Sequence, residues 1–539
     1  MATASSAASD EQSTVEHRGT VLDVLASLLS EGRTGEIIAM FRKLVARNSD
    51  LERRLAALLS RGGHSNEGVS SAQLRLLFEE LAAGGAAAEE IAQADERLRE
   101  AADLEAQRRE QEQRREAKRR QPPLRRPIPP GLRRVDNPIT VEESARPCPV
   151  CGSERACIGH DVTEVIDLIP AEVIVRVDRL EKLACNQCEA ELVRAPVGDK
   201  VVAGGRIGSR LVAELLVDKY RDGLPLHRQK QRFERLGLSL PVSTLADQVT
   251  WASELLEPLW RSAIDSVLAS TVMQVDATGL AVLAHKQPGG KKLGTLWGYI
   301  GDGTTAAMLY TSTGKREGQL DGELGPGEML ARRRGYVVAD AAGIFDTSFL
   351  REDLIECGCN MHARRYFHKA LEAGDHRAAL PLAAFKKLYA IEEKVRDLTA
   401  NDRRECRQIE SRPVYDELAL WCTAYRPHEL PTSAMGKAIR YLLNHQSALR
   451  RFMDDGAIPI DNGAVERLHV RTAMTRKNFL FAGSDAGGRR AAIVYTILGC
   501  CQLCGVNPVE YLAEVLPRLA RDGRPQDVRS LLPSRRNTT

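Results

Sequence analysis

Apolar residues recur along this chain first with a heptad period, then a helical one, then a strand-like one, and each change of period marks a change of expected structure. Over residues 36–60, Ile37, Leu44, Leu51 and Leu58 fall seven apart, with Phe41, Asn48 and Leu55 four residues after the first three. This is the a/d seam of a short coiled coil, and a polar Asn48 at an a position favours one register and two strands. An amphipathic helix packed within the chain has the same pattern. Residues 71–117 again read as helix, interrupted at Gly84 and Gly85. Residues 162–177 are β-branched and alternating, which predicts strands. Helical spacing returns at Ile207, Leu211, Leu215 and Leu216 and again over 226–236; Gly237 then reads as a stop. Pro241-Val-Ser-Thr opens a third helix, with Ser243 or Thr244 as its cap.

From residue 272 the pattern is strand-like. Val272-Met-Gln-Val275 runs into Asp276, 280–284 alternates, 296–300 holds Trp297 and Tyr299, and 306–310 adds another strand. Gly335-Tyr-Val-Val-Ala339 is a short apolar run ending in Asp340; a helix is expected over 341–350, a strand over 354–359 and a helix from His362. Strands followed by strand-helix alternation predict a mixed sheet with helices on its faces. Residues 378–453 read as helices, marked by Leu388 and Ile391, by Leu418 and Trp421, and by Ile439 and Leu442. The apolar helix 491–503 stops at Gly505 and gives Cys500, Cys501 and Cys504 a core-packing role. Asn507-Pro508 opens the last helix, and the tail beyond about 521 is expected to be disordered.

Length and charge add organisation. A chain of 539 residues predicts several domains. Its 76 Lys+Arg against 73 Asp+Glu leave a net charge of +3, which spread evenly would argue against a nucleic-acid partner. It is not spread evenly: residues 108–134 hold 11 Lys/Arg and 3 Asp/Glu, with Pro122, Pro123, Pro127, Pro129 and Pro130 opposing helix. Such a linker can follow a phosphate backbone, or serve as a solvated spacer. No apolar run reaches the roughly 18 residues that span a bilayer, and the first residues do not read as a secretion signal, so the expected location is cytoplasmic with no membrane partner. In a reducing compartment, paired cysteines read as metal ligands. Cys148-Pro-Val-Cys151 and Cys185-Asn-Gln-Cys188 supply four thiolates for one tetrahedral structural Zn2+, with Cys157 and His160 as further candidates.

The chemistry sits later. Asp276 and Asp340 each end an apolar run and are each followed by small residues that leave the carboxylate uncovered. Carboxylates at adjacent strand ends can bind two divalent cations about 3.5 to 4 Å apart, and hard oxygen ligands favour Mg2+ or Mn2+. A lone strand-end Asp is more often a turn or cap residue. A third acid lies in Asp461-Asn-Gly-Ala-Val-Glu466-Arg467, where Asn462 can cap a helix beginning near Ala464 and place Glu466 on its first turn. Asp461 competes for the same role, though its position suits turn chemistry. Arg467, Arg471, Arg476 and Lys477 form a basic surface beside Glu466, as phosphoryl transfer on DNA requires.

Four motifs carry a resemblance: Cys359-Asn-Met-His362-Ala-Arg-Arg-Tyr-Phe367, Asp461-Asn-Gly-Ala-Val-Glu466-Arg467, Arg476-Lys-Asn-Phe-Leu-Phe-Ala-Gly-Ser484 and Gly505-Val-Asn-Pro-Val-Glu-Tyr-Leu512. On these the chain resembles the bacterial transposases of the insertion-sequence-66 type over roughly residues 146–519. The resemblance implies a multidomain α/β protein: a ribonuclease-H-like DDE core with an all-helical insertion, preceded by a coiled coil, a zinc-binding module and a helix-turn-helix. It implies Asp276, Asp340 and Glu466 as the metal-binding triad, with two Mg2+ or Mn2+ ions, and water or a 3′-hydroxyl attacking a phosphodiester in line. Expected DNA contacts are Arg467, Arg471, Arg476 and Lys477, Arg364 and Arg365, Arg228 and Lys230 of the basic second helix, and Arg125 and Arg126 of the linker. The expected partners are double-stranded DNA (terminal inverted repeats and target), a second copy or higher oligomer, and accessory transposition proteins. Two departures stand out: Ala277-Thr278 where the family carries an acid after the first Asp, and Gly463 where it carries a second Asn.

The expected boundaries are 1–20 disordered, 21–107 helical and oligomerising, 108–140 basic linker, 141–200 zinc module and 201–265 helix-turn-helix. The core follows at 266–375 and 456–520, split by an insertion at 376–455, and 521–539 is the disordered tail. Cys359 and His362 stay open between ligand, phosphate contact and a packed strand-to-helix corner, the corner being the expected reading. Two alternatives to a transposase remain: a catalytically inactive DNA-binding regulator derived from one, and a nuclease that cleaves without joining.

Overall fold

The computed structural model describes residues 70–83, 87–119, 153, 172–183, 193–194, 205–284, 288–313, 315, 324–521 and 527–536. The heptad at 36–60, the segment 1–20, Cys148, Cys151, Cys185 and Cys188, and Arg125 and Arg126 lie outside the described residues. Helices α1 (Ser71–Ala83) and α2 (Ala88–Arg119) are separated at the glycine pair, and α2 carries helix into the basic stretch. Strands β1 (Lys182–Leu183) and β2 (Val193–Arg194) pair antiparallel and bracket the residues that include Cys185 and Cys188. The described part of the alternating run before them is not strand: Ile174, Val175 and Val177 are 70%, 90% and 74% exposed. Alternation makes a strand only where a partner or a covering layer exists, and in this run it is Val173 that packs, against a cluster of helix residues.

Helices α3 (Ser209–Tyr220), α4 (Leu226–Arg235) and α5 (Val242–Leu268) follow. Ser243 and Thr244 lie inside the first turn of α5, not ahead of it. Strands β3 (Val272–Leu283), β4 (Lys291–Gly301) and β5 (Thr305–Thr311), helix α6 (Pro326–Arg332), then β6 (Gly335–Ala339) and β7 (Leu354–Gly358) lead to α7 (Asn360–Glu372). Next come α8 (Ala379–Lys394), α9 (Ala400–Cys406), a π-helical turn (Arg407–Ser411), α10 (Arg412–Tyr425), α11 (Ala434–Asn444) and α12 (Gln446–Arg450). The chain ends with α13 (Gly463–Phe479), α14 (Asp485–Leu503), α15 (Pro508–Arg521) and α16 (Pro533–Arg536).

Two compact units divide the chain, one of residues 1–105, 264–279 and 295–469, the other of 106–263, 280–294 and 470–539. The first is built on a five-stranded mixed sheet of order β5-β4-β3-β6-β7. β4 and β5 pair antiparallel, from Thr295↔Thr311 to Gly301↔Thr305. β3 and β6 pair parallel from Val272↔Tyr336 to Gln274↔Val338, and β6 and β7 pair parallel from Gly335↔Leu354 to Ala339↔Gly358. Two local expectations fail. β3 does not end at Asp276 but continues to Leu283. Residues 341–350 form successive turns instead of a helix, bonded as Phe345 N–H to Ala342 O and Ser348 N–H to Phe345 O. Gly343, Asp346, Thr347 and Ser348 are weak helix formers that favour local bonding, which accounts for the difference.

Helices α7, α8, α10, α11 and α12 share one apolar core in which Phe367, Phe385, Leu388, Tyr415, Ile439 and Leu442 are buried. Leu74, Phe78, Ala94 and Leu98 of α1 and α2 join the same core, with Tyr425 Oη donating to Glu90 at 2.9 Å and Arg97 pairing with Glu417. The described N-terminal helices therefore pack these four apolar residues within the chain, while Leu76 of α1 is exposed.

Two arginines, each 1% exposed, brace this unit. Arg333 donates to the carbonyls of Leu268, Ser270, Thr271 and Tyr336 at 2.5–2.9 Å, locking the turn before β3 to the start of β6. Arg407, in the π turn, pairs with both oxygens of Glu392 at 2.8 and 2.6 Å and donates to the carbonyls of Phe452 and Ile458 at 2.6 and 2.9 Å.

In the second unit α3, α4 and α5 pack around Leu215, Phe233 and Leu245. Buried Gln229 donates to the carbonyls of Leu215 and Leu224 at 3.3 and 2.8 Å. Asn507 Oδ1 caps α15 by accepting from Val509 N–H at 3.0 Å, and Cys500 and Cys501 are buried in α14. The expected disordered tail is instead folded over 527–536. Leu531 and Leu532 are buried and Tyr511 Oη donates to Leu531 O at 2.6 Å, because two adjacent leucines supply the apolar surface that the flanking polar residues lack. Among the described residues no helix is long and apolar enough to cross a membrane.

Removing the Arg407 head group strands a half-buried Glu392 and several carbonyls. Arg407→Leu is expected to lower unfolding stability by roughly 3 to 5 kcal/mol in denaturant titration. Arg396→Leu, at an exposed pair with Glu393, is expected to cost less than about 1 kcal/mol.

Candidate carboxylate site

The register of the sheet brings the first two acids together. Val272 to Val275 are buried, which holds β3 in place, and pairing with β6 is last seen at Gln274↔Val338. Carried on by two residues, that register sets Asp276 opposite Asp340, the residue directly after β6. Both are half-buried, and Ala277 beside Asp276 is exposed.

The third acid arrives on α13. The approach to that helix is pinned to the start of α7, where Asn360 N–H donates to Ile460 O at 3.1 Å and Asn360 Nδ2 to Ile460 O and Leu449 O at 3.1 and 3.0 Å. Asp461 is used at both oxygens, accepting Gly463 N–H at 2.8 Å and Tyr389 Oη–H at 2.7 Å. That is the turn role its position suggested. Asn462 stands where a cap would, and its carbonyl accepts Val465 and Glu466 N–H at 3.0 and 3.2 Å. Its side chain is turned elsewhere. Fully buried, it donates Nδ2–H to Val275 O at 3.3 Å and accepts the Cys359 thiol at 2.9 Å. Burial pushes the Cys359 thiol up to about 12, and with its hydrogen bond spent on Asn462, Cys359 packs as a strand-to-helix corner residue.

Glu466 is half-buried on the first turn of α13, facing α7. Arg365 Nη2 lies 3.6 Å from its Oε2, His362 Nδ1 lies 3.9 Å from its Oε1, and Arg365 Nη1 lies 3.3 Å from His362 Nε2. Burial, with the charges of Glu466 and Asp340 adding to it, raises the Asp276 carboxyl to about 7 against the opposing Ala277 N–H and Arg365. Three acids therefore share one electrostatic neighbourhood. Among the described residues no three His, Cys, Asp or Glu side chains are drawn close enough to cage an ion as they stand. The donor chemistry nonetheless fits a hard divalent cation: crowded, half-buried carboxylates, one of them held protonated to near neutrality, are what a cation relieves.

The basic residues divide. Arg467 and Lys477 are exposed on α13, Arg476 is half-buried, and Arg471 donates Nε–H to Gln502 at 2.9 Å. Arg364 and Arg365 are half-buried on α7. On α4, Arg228 is exposed, Lys230 pairs with Glu234 at 3.2 Å, and Arg232 is tied to Asp218 at 2.7 Å. Two residues escaped the sequence reading. His469, 6% exposed, places Nε2 3.1 Å from the Asp276 carbonyl oxygen, and a Cβ at Gly298 would lie 2.8 Å from that same nitrogen. A glycine inside a strand is the one sequence signal of such a close approach.

The Asp276 shift has a sign. In metal-free protein the folded state holds a proton that the unfolded state releases near 3.8, so this group's contribution to stability falls as pH rises from about 4 to 7. Asp276→Asn is expected to melt higher than the parent at pH 8 in chelator, with the gap closing toward pH 4. An equal gap at both values would contradict the raised Asp276 carboxyl.

Comparison with known proteins gives this geometry a setting. Residues 204–490, more than half of the chain, match the family described as Transposase IS66 family. Residues 146–189 match the zinc-finger binding domain of transposase IS66, a span containing Cys148, Cys151, Cys185 and Cys188, which supports structural zinc. Similar proteins of Sinorhizobium fredii include uncharacterized protein y4hP, 31% identical over 422 residues that cover 74% of each chain. Uncharacterized protein y4jD is 30% identical over 73% of this chain and 78% of its own, and y4qI 31% identical over 75% of each. The chain belongs to the IS66 family of transposases.

Proposed function

We propose that the chain is an active DDE transposase that binds the terminal repeats of its element and carries out metal-dependent strand cleavage and strand transfer. What supports this reading is the parallel pairing of β3 with β6, which extended by two residues would align Asp276 with Asp340, together with the charges of Glu466 and Asp340 that raise the Asp276 carboxyl. On this reading β3 to β7 with α7 and α13 form a ribonuclease-H-like core, and α8 to α12 are its helical insertion. Asp276, Asp340 and Glu466 hold two Mg2+ or Mn2+ ions, which when bound activate the attacking oxygen and stabilise the leaving one.

The chain's own groups have separate tasks. Asp276 and Glu466 would hold the cation as carboxylates, and Arg365, beside Glu466, would be placed to bond a phosphate oxygen. Arg467 on the exposed side of α13, Arg364, Arg476 and Lys477 hold the DNA backbone. Helices α3 to α5 act as the helix-turn-helix, with Arg228 on the outer face of α4 toward the duplex. The four knuckle cysteines hold zinc as a structural brace. A dimer brings two element ends together.

Alanine at Asp276, Asp340 or Glu466 is expected to lower Mg2+-dependent cleavage of a terminal-repeat duplex at least about a thousandfold, with repeat binding kept within about threefold in gel shift. Cleavage that persists in Asp276→Ala would remove the triad assignment. Parent protein that binds repeats but never cuts with Mg2+ or Mn2+ would make it the inactive regulator.

A further inference from the structure

His469 lies one turn beyond Glu466 on the buried side of α13, and its Nε2 faces the backbone carbonyl of Asp276. The partner is a carbonyl oxygen, which accepts only, so Nε2 carries the proton and donates at 3.1 Å. The sheet is cut to receive this ring. A Cβ on Gly298 of β4 would come within 2.8 Å of His469 Nε2, 3.0 Å of its Cε1 and 3.1 Å of Val465 Cγ2, so a larger residue there would displace the His469 ring or the Val465 side chain. Asn462 already ties the start of α13 to Val275, one residue before Asp276. His469 supplies the second tie, two turns along the helix and on the far side of Glu466. Two bonds from one helix to successive carbonyls of one strand fix both the height and the rotation of the helix, where a single bond would leave a pivot.

We infer that His469 is a positioning residue of the carboxylate site, which bonds the Asp276 backbone to the helix carrying Glu466 and so sets the separation of those two acids and their affinity for a divalent ion. The inference rests on the metal-site reading above. A packed core histidine with an incidental bond is the competing account, and it predicts sensitivity to ring volume and not to the donor. Groups that orient a metal-binding residue from behind change metal affinity about 10- to 100-fold when removed.

The test is Mn2+ binding to the full-length protein, read as free-ion electron paramagnetic resonance, alongside thermal melting. His469→Leu removes the donor and keeps an apolar filler; His469→Gln keeps an N–H at a reach similar to Nε2. His469→Leu is expected to weaken Mn2+ binding about tenfold or more, while His469→Gln recovers most of it even if both variants melt at the same lowered temperature. Mn2+ binding equal to the parent in His469→Leu, or equally weak in both variants, would overturn the inference. Mn2+ uptake that Asp276→Ala leaves unchanged would overturn the metal-site reading and this inference with it. Uptake that depends on Asp276 but is indifferent to His469→Leu overturns the inference alone.

Discussion

One buried amide sets the geometry on which the rest of the site depends. Asn462 has no exposed surface, and its two polar ends are spent on two different elements: Nδ2 on the carbonyl of Val275 and Oδ1 on the thiol of Cys359. Val275 precedes Asp276, Cys359 precedes the helix that carries His362 and Arg365, and Asn462 itself precedes the helix that carries Glu466. An amide in an apolar setting must satisfy both ends or lose on the order of 1 to 3 kcal/mol for each end left bare. The three segments are therefore held in one arrangement by a group that touches no substrate and bears no charge.

The helical region is part of that arrangement. It separates Asp340 from Glu466 in sequence and reconnects them in space. Tyr389 of α8 holds Asp461, and Arg407 gathers the carbonyls of the loop that leads to Ile458. Leu449 of α12 packs so tightly on the end of β7 that a Cβ at Gly358 would lie 2.8 Å from its Cδ2. A region with these contacts sets where the chain re-enters the site, and strain in α8 or the π turn is transmitted to the residues before Glu466. Helices α1 and α2 extend the same core, so a disturbance there acts on the brace and not on the acids directly.

What was legible in sequence follows from locality. Gly335-Tyr-Val-Val-Ala339 is a strand by its own composition, and the strand ends where Asp340 begins. The parallel pairing of β3 with β6 was not legible, because register is a relation between residues more than 60 positions apart, yet it is what makes Asp276 and Asp340 neighbours. Asp276 was expected at a strand end and lies within β3, because the pattern after it, Ala277-Thr278-Gly279, lacks large apolar residues while the strand continues. Asn462 was placed correctly before α13 and given the wrong partner: a cap is a local motif, whereas a bond to Val275 spans 187 positions. The tail misled for the opposite reason, since its polar composition hides the two leucines that anchor it.

The departures from the family pattern are absorbed by the same geometry. Gly463 sits where a Cβ would meet Asp461 Oδ1 at 2.9 Å, Met361 Cε at 3.2 Å and Arg467 Nη1 at 3.4 Å, so the small residue leaves Asp461 free to accept the Gly463 N–H. Ala277 and Thr278 keep a further negative charge away from a place where Glu466 and Asp340 already raise the Asp276 carboxyl. Removing an acid there lessens the repulsion that folding must overcome without a cation and leaves Arg365 as a nearby counter-charge to Glu466. The net charge of +3 is silent on all of this. The 76 basic and 73 acidic side chains cancel in the sum, so what sets one place apart from another is where each charge sits, as with Arg365 and His362 beside Glu466.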